Sequence, residues 1–165
     1  MNDRTTDILW APWRMEYILG PKEKGCIFCD KPKQAQDREN LIVHRGHLAF
    51  VIMNKYPYNN GHLLIVPYRH EAELPRLTPE ENLEMMALLQ KSAQALRATC
   101  APQGFNIGMN VGAVAGAGID SHLHFHLVPR WNADTNFMPV TGHTKVISEG
   151  LWETWAHLRG QFQAR

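Results

Sequence analysis

Ser121-His122-Leu123-His124-Phe125-His126-Leu127-Val128 is the stretch on which the reading of the fold turns. Polar and apolar residues alternate here without a break, the period of a half-buried strand. The spacing predicts a strand from His122 to Pro129, with His122, His124 and His126 on one face and Leu123, Phe125 and Leu127 on the other, toward a core. A lone histidine is ordinarily a satisfied surface or core group, but three at period two on an apolar-backed strand have no packing explanation. Two kinds of chemistry use such a row. Neutral imidazoles ligate metal ions, and alternate positions of one strand can serve one ion. Alternatively, an imidazole nitrogen that is held neutral and correctly aimed attacks phosphorus and forms a phosphoramidate, while neighbouring histidines set its tautomer and protonate the leaving oxygen. The loop just upstream, Gly112-Ala113-Val114-Ala115-Gly116-Ala117-Gly118, favours the second, because small side chains let backbone amides approach and cradle a phosphate.

Outward from this strand, Leu41–Val43, Leu48–Met53 and His62–Pro67 are apolar runs bounded by turn residues, and Tyr56-Pro57-Tyr58-Asn59-Asn60-Gly61 is a turn between two of them. Phe105–Asn110 alternates as a further half-buried strand. Thr78-Pro79-Glu80-Glu81 opens the strongest helix, with a threonine N-cap, proline at the first helical position and a glutamate placed to close a capping box. Leu83, Met86, Gln90, Ala93 and Leu96 are its expected inner stripe, and Leu151, Trp155, Leu158 and Phe162 that of a last helix over 149–162. Short links between strands argue for an antiparallel sheet of about five strands with one long helix packed on it and a C-terminal helix, in the α+β class. The 165 residues suit one domain, residues 1–37 forming an irregular arm with the aromatic run Leu9-Trp10-Ala11-Pro12-Trp13-Arg14-Met15, and 38–165 the core.

Formal charges nearly cancel, at +1, without a long block of one sign, so neither nucleic acid nor a membrane is an expected partner. The first residues are polar, and no stretch approaches the ~20 apolar residues of a membrane span, so a cytoplasmic location is expected. Of the three cysteines, Cys26 and Cys29 form a C-x-x-C pair, which in such a chain reads as half of a tetrahedral zinc site or as thiol redox chemistry, while Cys100 reads as an ordinary buried residue.

His122-Leu123-His124-Phe125-His126-Leu127-Val128 resembles the signature of the histidine triad (HIT) family, and so do Val51-Ile52-Met53-Asn54, the Pro57 turn and Gly61-His62-Leu63-Leu64-Ile65-Val66-Pro67. The likeness extends to a branch, the bacterial dinucleoside polyphosphate phosphorylases. It runs through Leu9–Met15, Tyr56–Asn59, Val66–Arg69, Gly104–Asn110, His126–Trp131, Asn136–Met138 and Thr144–Val146, and so covers most of the chain.

The resemblance implies a HIT-like fold and a role for each matching residue. His124 is the nucleophile that takes the nucleoside monophosphate from the α-phosphorus, His126 supports its charge state and the phosphate oxygens, and His122 completes the catalytic triad. His62 matches a supporting histidine near the nucleotide, Asn54 a ribose ligand and Asn110 a phosphate or leaving-group contact, although asparagines at strand ends also cap turns. The stretch Gly116-Ala117-Gly118-Ile119-Asp120-Ser121, which includes the small Gly116 and Gly118 of the phosphate loop, has no hydroxyl at the place where relatives carry one before the triad; either the Gly118 amide replaces it or the grip on phosphate is weaker. Family members that bind structural zinc complete the cysteine pair with positions matching His70 and His122, giving Cys26, Cys29, His70 and His122 as ligands. The implied activity is cleavage of adenine dinucleoside polyphosphates, such as diadenosine tetraphosphate, by a homodimer with inorganic phosphate as co-substrate. Hydrolysis, nucleoside phosphoramidase activity and a zinc-containing nucleotide-binding module with little turnover are the alternatives.

Overall fold

The computed structural model describes residues 25–132, 134 and 149–163, and the aromatic run Leu9–Met15 and the stretches Asn136–Met138 and Thr144–Val146 lie outside them. The strands are β1 (Ile42–Arg45), β2 (Ala49–Met53), β3 (Leu63–Pro67), β4 (Gly104–Met109) and β5 (Phe125–Arg130), and the helices are α1 (Ile27–Asp30), α2 (Pro79–Cys100) and α3 (Leu151–Gln163). They form one five-stranded sheet in the order β1-β2-β3-β5-β4, antiparallel at every pairing, so the expected α+β, HIT-like architecture is present. The β2–β3 hairpin lies at its centre with every residue of both strands buried, and its turn closes at Gly61. Gly61 has φ +72°, and a Cβ there would stand 2.8 Å from Leu96 Cδ2 on α2, so conformation and space both call for glycine. In the described part of the N-terminal segment, α1 and the 3-10 turn Lys31–Lys33 follow directly on Cys26.

The histidine segment departs from the expected strand. Pairing begins at Phe125, opposite Ile65 of β3 and Met109 of β4, so His122 and His124 precede β5 and only His126 lies within it. The cause is local. Met109 is the last residue of β4, and on the other side β3 ends at Pro67, which has no N–H to continue the ladder. The Pro67 carbonyl instead accepts a hydrogen bond from His122 Nε2 at 2.8 Å, and the Leu123 N–H donates to the carbonyl of Glu71 at 2.7 Å. Leu123 and Leu127 still enter the core, with Phe125 partly buried beside it.

Helix α2 starts as the sequence indicates: Thr78 accepts from the Glu81 N–H, and the Glu81 carboxylate accepts from the Thr78 N–H. Its inner face is different, formed by Glu81, Met85, Leu88, Leu89, Ser92, Ala95 and Leu96, while Leu83 is 74% and Met86 46% exposed. Two apolar stripes overlap on this helix, and a buried carboxylate selects between them. Glu81 binds Arg69 through both oxygens, at 2.8 and 2.7 Å, which turns toward the sheet the stripe four, seven and eight residues on from Glu81. Helix α3 packs on β1 and α2 through Leu158 and Phe162, and the Trp155 indole donates to the Ile42 carbonyl at 3.0 Å. No helix among the described residues is long and apolar enough to cross a membrane.

The corrected face is measurable by urea denaturation. Met85→Ala, at a fully buried position, should cost about 2–5 kcal/mol. Leu83→Ala should change stability by no more than about 0.5 kcal/mol. The opposite order would put the Leu83 stripe back inside.

Candidate active site

Two groups of side chains meet at the segment before β5, and His122 belongs to both. On one side stand Cys26, Cys29 and His70, whose ligand atoms lie with that of His122 within 4.8 Å of one another. Cys26 Sγ is 3.3 Å, Cys29 Sγ 3.6 Å and His70 Nδ1 3.3 Å from His122 Nδ1, and Cys29 Sγ is 3.3 Å from His70 Nδ1. Zinc bonds of about 2.3 Å to sulfur and 2.0–2.1 Å to nitrogen imply ligand–ligand edges of ~3.3–3.8 Å in a tetrahedron. These four separations fall on those edges. The protonation pattern agrees: His122 Nε2 donates to Pro67, so the lone pair of the neutral ring is on Nδ1, which faces the sulfurs. Burial pushes His122 down to about 4, more than its Pro67 bond raises it, and the neighbouring His70 and His124 push the same way as burial. Burial and then the adjacent Cys26 push the Cys29 thiol up to about 11, which leaves it protonated until a cation supplies opposing charge. The donors suit a metal ion.

On the other side the imidazoles continue in a row. His124 is buried, and its Nδ1–H donates to the carbonyl of His122 at 2.9 Å, leaving the lone pair on Nε2. Burial pushes its pKa below the ordinary histidine value, more than the His122 carbonyl raises it, so the ring is neutral near pH 7. His126 meets His124 edge-on at 4.8 Å between ring centres, and His62 meets His126 at 5.1 Å. Hydrogen-bond partners assign the protons along this part of the row. The Tyr58 N–H donates to His62 Nδ1 at 3.2 Å, so His62 carries its proton on Nε2 and donates it to His126 Nδ1 at 2.9 Å. The proton of His126 therefore sits on Nε2. A neutral ring with an available Nε2 thus lies next to a ring that can donate.

Each residue singled out in the sequence has a definite place. His122, His124, His126 and His62 come together as a row, and Cys26, Cys29 and His70 gather at its His122 end. Asn54 reaches the row through His62, its Nδ2 3.2 Å from His62 Nδ1, while its Oδ1 accepts from the Tyr56 N–H at 3.0 Å. Asn110 directly follows β4, whose Met109 pairs with Phe125 beside His124. Gly116 has φ +85° and ends the 3-10 turn Ala113–Ala115; with Gly118 it belongs to an exposed loop.

The tautomer of His124 is set by a backbone carbonyl and not, as the alternation suggested, by a neighbouring imidazole. Tyr58, Pro67 and Phe28 are the contributors that sequence reasoning missed. Tyr58 stacks on His62 at 4.8 Å and on His126 at 5.9 Å, the Pro67 carbonyl orients His122, and Phe28 packs against His122 and His124. The turn containing Tyr58 and the stretch ending at Pro67 each carried a signal as part of a recognised motif, while Phe28 carried none.

Comparison with known proteins agrees with this geometry. The model of the HIT domain matches residues 35–133. A protein of Mycobacterium tuberculosis named AP-4-A phosphorylase is 42% identical over 154 residues, covering 88% of this chain and 79% of the relative. An adenosine 5'-monophosphoramidase of Schizosaccharomyces pombe is 28% identical, over 67% of this chain and 77% of its own. Among solved structures, a Zn-bound histidine triad family protein from Mycobacterium smegmatis superposes with a TM-score of 0.67 at 27% identity, covering 83% of this chain and 92% of that one. With the triad, the sheet and these matches in agreement, the chain belongs to the HIT domain family.

Proposed function

We propose that this chain is a nucleotidyl-transferring enzyme that cleaves diadenosine tetraphosphate by phosphorolysis, giving ADP and ATP. The observation that carries the reading is the state of His124: buried, neutral, its Nδ1–H held by the His122 carbonyl and its Nε2 left with a lone pair. Such a nitrogen is a nucleophile for phosphorus. In the first step His124 Nε2 bonds to the α-phosphorus, the bond to the bridging oxygen breaks, and ATP leaves with a proton donated from His126 Nε2. In the second, an oxygen of inorganic phosphate attacks the same phosphorus, the phosphorus–nitrogen bond breaks and ADP departs. His62 keeps His126 in the donating tautomer. Asn54 holds the ribose, and Asn110 with the amides of Gly116 and Gly118 contacts the phosphates. The phosphate acceptor is supported by the 42% identity to the AP-4-A phosphorylase. A second reading, cleavage of a phosphorus–nitrogen bond by the same His124, is supported by the 28% identity to the monophosphoramidase.

Zinc is the ion proposed for Cys26, Cys29, His70 and His122, on the tetrahedral spacing of their donors and the zinc-bound relative. Bound there it would serve as a structural cross-link between the N-terminal segment and the end of β3. The chain is further read as a single HIT domain that pairs as a homodimer. Support for pairing comes from β4, an edge strand of the sheet that exposes Asn106, Ile107 and Gly108.

His124→Asn should lower turnover of diadenosine tetraphosphate by at least about 10³-fold while nucleotide binding persists. Turnover close to wild type would overturn the covalent mechanism. ADP and ATP should form only when phosphate is supplied; AMP and ATP at full rate in phosphate-free buffer would make the enzyme a hydrolase.

Elemental analysis should find one zinc per chain, and Cys26→Ser should lower the melting temperature more than it lowers kcat. A metal-free protein that melts unchanged would remove the structural role. Sedimentation at micromolar concentration should give twice the 18.8 kDa of one chain.

A further inference from the structure

The two residues inside a C-x-x-C pair are commonly spacers, but Phe28 is not one. The single turn α1 directs it inward, to 2% exposure, while the flanking Cys26 and Cys29 sulfurs meet His122 Nδ1. Its ring centre lies 5.0 Å from that of His124 at a tilt of 54°, and 5.5 Å from that of His122, nearly perpendicular at 78°. His126 meets the same His124 ring at 4.8 Å. An imidazole turns easily about its last side-chain bond, whose torsional wells are broad, and a half-turn would carry Nδ1 away from the carbonyl it binds. One hydrogen bond to the His122 carbonyl is a weak restraint on that rotation. Flat rings packed against the imidazole restrain it sterically.

We propose that Phe28 is a positioning residue for His124: it packs against the imidazole and keeps it in the orientation in which Nδ1–H reaches the His122 carbonyl and Nε2 is presented. The proposal rests on the reading of His124 as the nucleophile. It gives the C-x-x-C turn two functions, since the turn that carries two sulfur donors also carries the side chain that aims the reacting nitrogen. The two groups at the site are then linked through the Phe28 ring as well as through His122.

The test uses Phe28→Ala and Phe28→Leu in the full chain, with metal content measured in each. The first readout is kcat and KM for diadenosine tetraphosphate with phosphate. The second is the long-range 1H–15N spectrum of histidine-labelled protein without nucleotide, with the His124 signals assigned by their loss in His124→Asn. Phe28→Ala should lower kcat by about 10- to 10²-fold, the scale of a misplaced reacting group. KM and metal content should change by less than about twofold, as expected when ground-state binding is intact. The His124 spectrum should pass from the single Nδ1–H tautomer to a mixture. Phe28→Leu, which keeps apolar bulk without a flat ring, should be intermediate in both readouts.

A lower melting temperature with kcat and the His124 tautomer unchanged would make Phe28 a core filler and overturn the proposal. A raised KM with unchanged kcat would make it a wall of the ligand site and overturn it as well. If Phe28→Ala does not fold, Phe28→Leu decides between the same outcomes. If the wild-type protein does not turn over the dinucleotide, the reading of His124 as nucleophile fails, and the tautomer spectrum still decides whether Phe28 holds the ring.

Discussion

The hydrogen bond from His122 Nε2 to the carbonyl of Pro67, 2.8 Å long and buried, determines the arrangement of everything around the site. It occupies the acceptor at the end of β3, where proline offers no donor, and so the sheet ladder stops short of His124. It puts the proton of His122 on Nε2 and turns the Nδ1 lone pair toward Cys26, Cys29 and His70. Because the chain leaves the ladder here, the carbonyl of His122 is available to bind His124 Nδ1–H. One side chain thereby sets the state of both groups.

That bond is useful only if the end of β3 stays in place, and a charged cluster on the loop after it supplies the restraint. Arg69 binds both oxygens of Glu81 on α2, one oxygen of Glu71 and the carbonyl of Arg76. The Glu71 carbonyl in turn accepts the N–H of Leu123, between the two buried histidines. Glu81 also caps α2, so the start of the long helix and the loop carrying His70 are held by charge-assisted hydrogen bonds, and the segment carrying His124 is joined to them by the backbone bond from Leu123 to Glu71. Buried polar groups are costly unless paired, and here each pairing also fixes an orientation.

In the proposed mechanism, burial does chemical work at His124. Withdrawing the ring from water disfavours its protonated form, which is the inactive form of a nitrogen nucleophile. His126, joined to His62 by a 2.9 Å hydrogen bond and only part-buried, is arranged to donate instead. The division of labour among chemically identical side chains comes from their environments.

Much of this was legible in the sequence. Apolar runs bounded by turn residues and two stretches of period-two alternation located the strands, Thr78, Pro79 and Glu81 marked the start of the long helix, and the triad together with Cys26, Cys29, His62 and His70 named most of the side chains that meet at the site. The alternation, the helix cap, the C-x-x-C pair and the triad are local signals, carried by residues within a turn or a strand of one another, whereas His62 and His70 were implied by the family resemblance. What only the tertiary structure decided depends on contacts across long sequence separations. Two stripes on α2 satisfied the helical period equally, and the choice fell to Arg69 binding Glu81. The strand expected from His122 stops at Phe125 because Pro67, 55 residues away, closes the ladder. Phe28 had no pattern to announce it, since its importance lies in the ring it touches. Periodicity reports which face of an element is apolar; the rotation, the register end and the tautomer are set by partners that sequence spacing does not bring near.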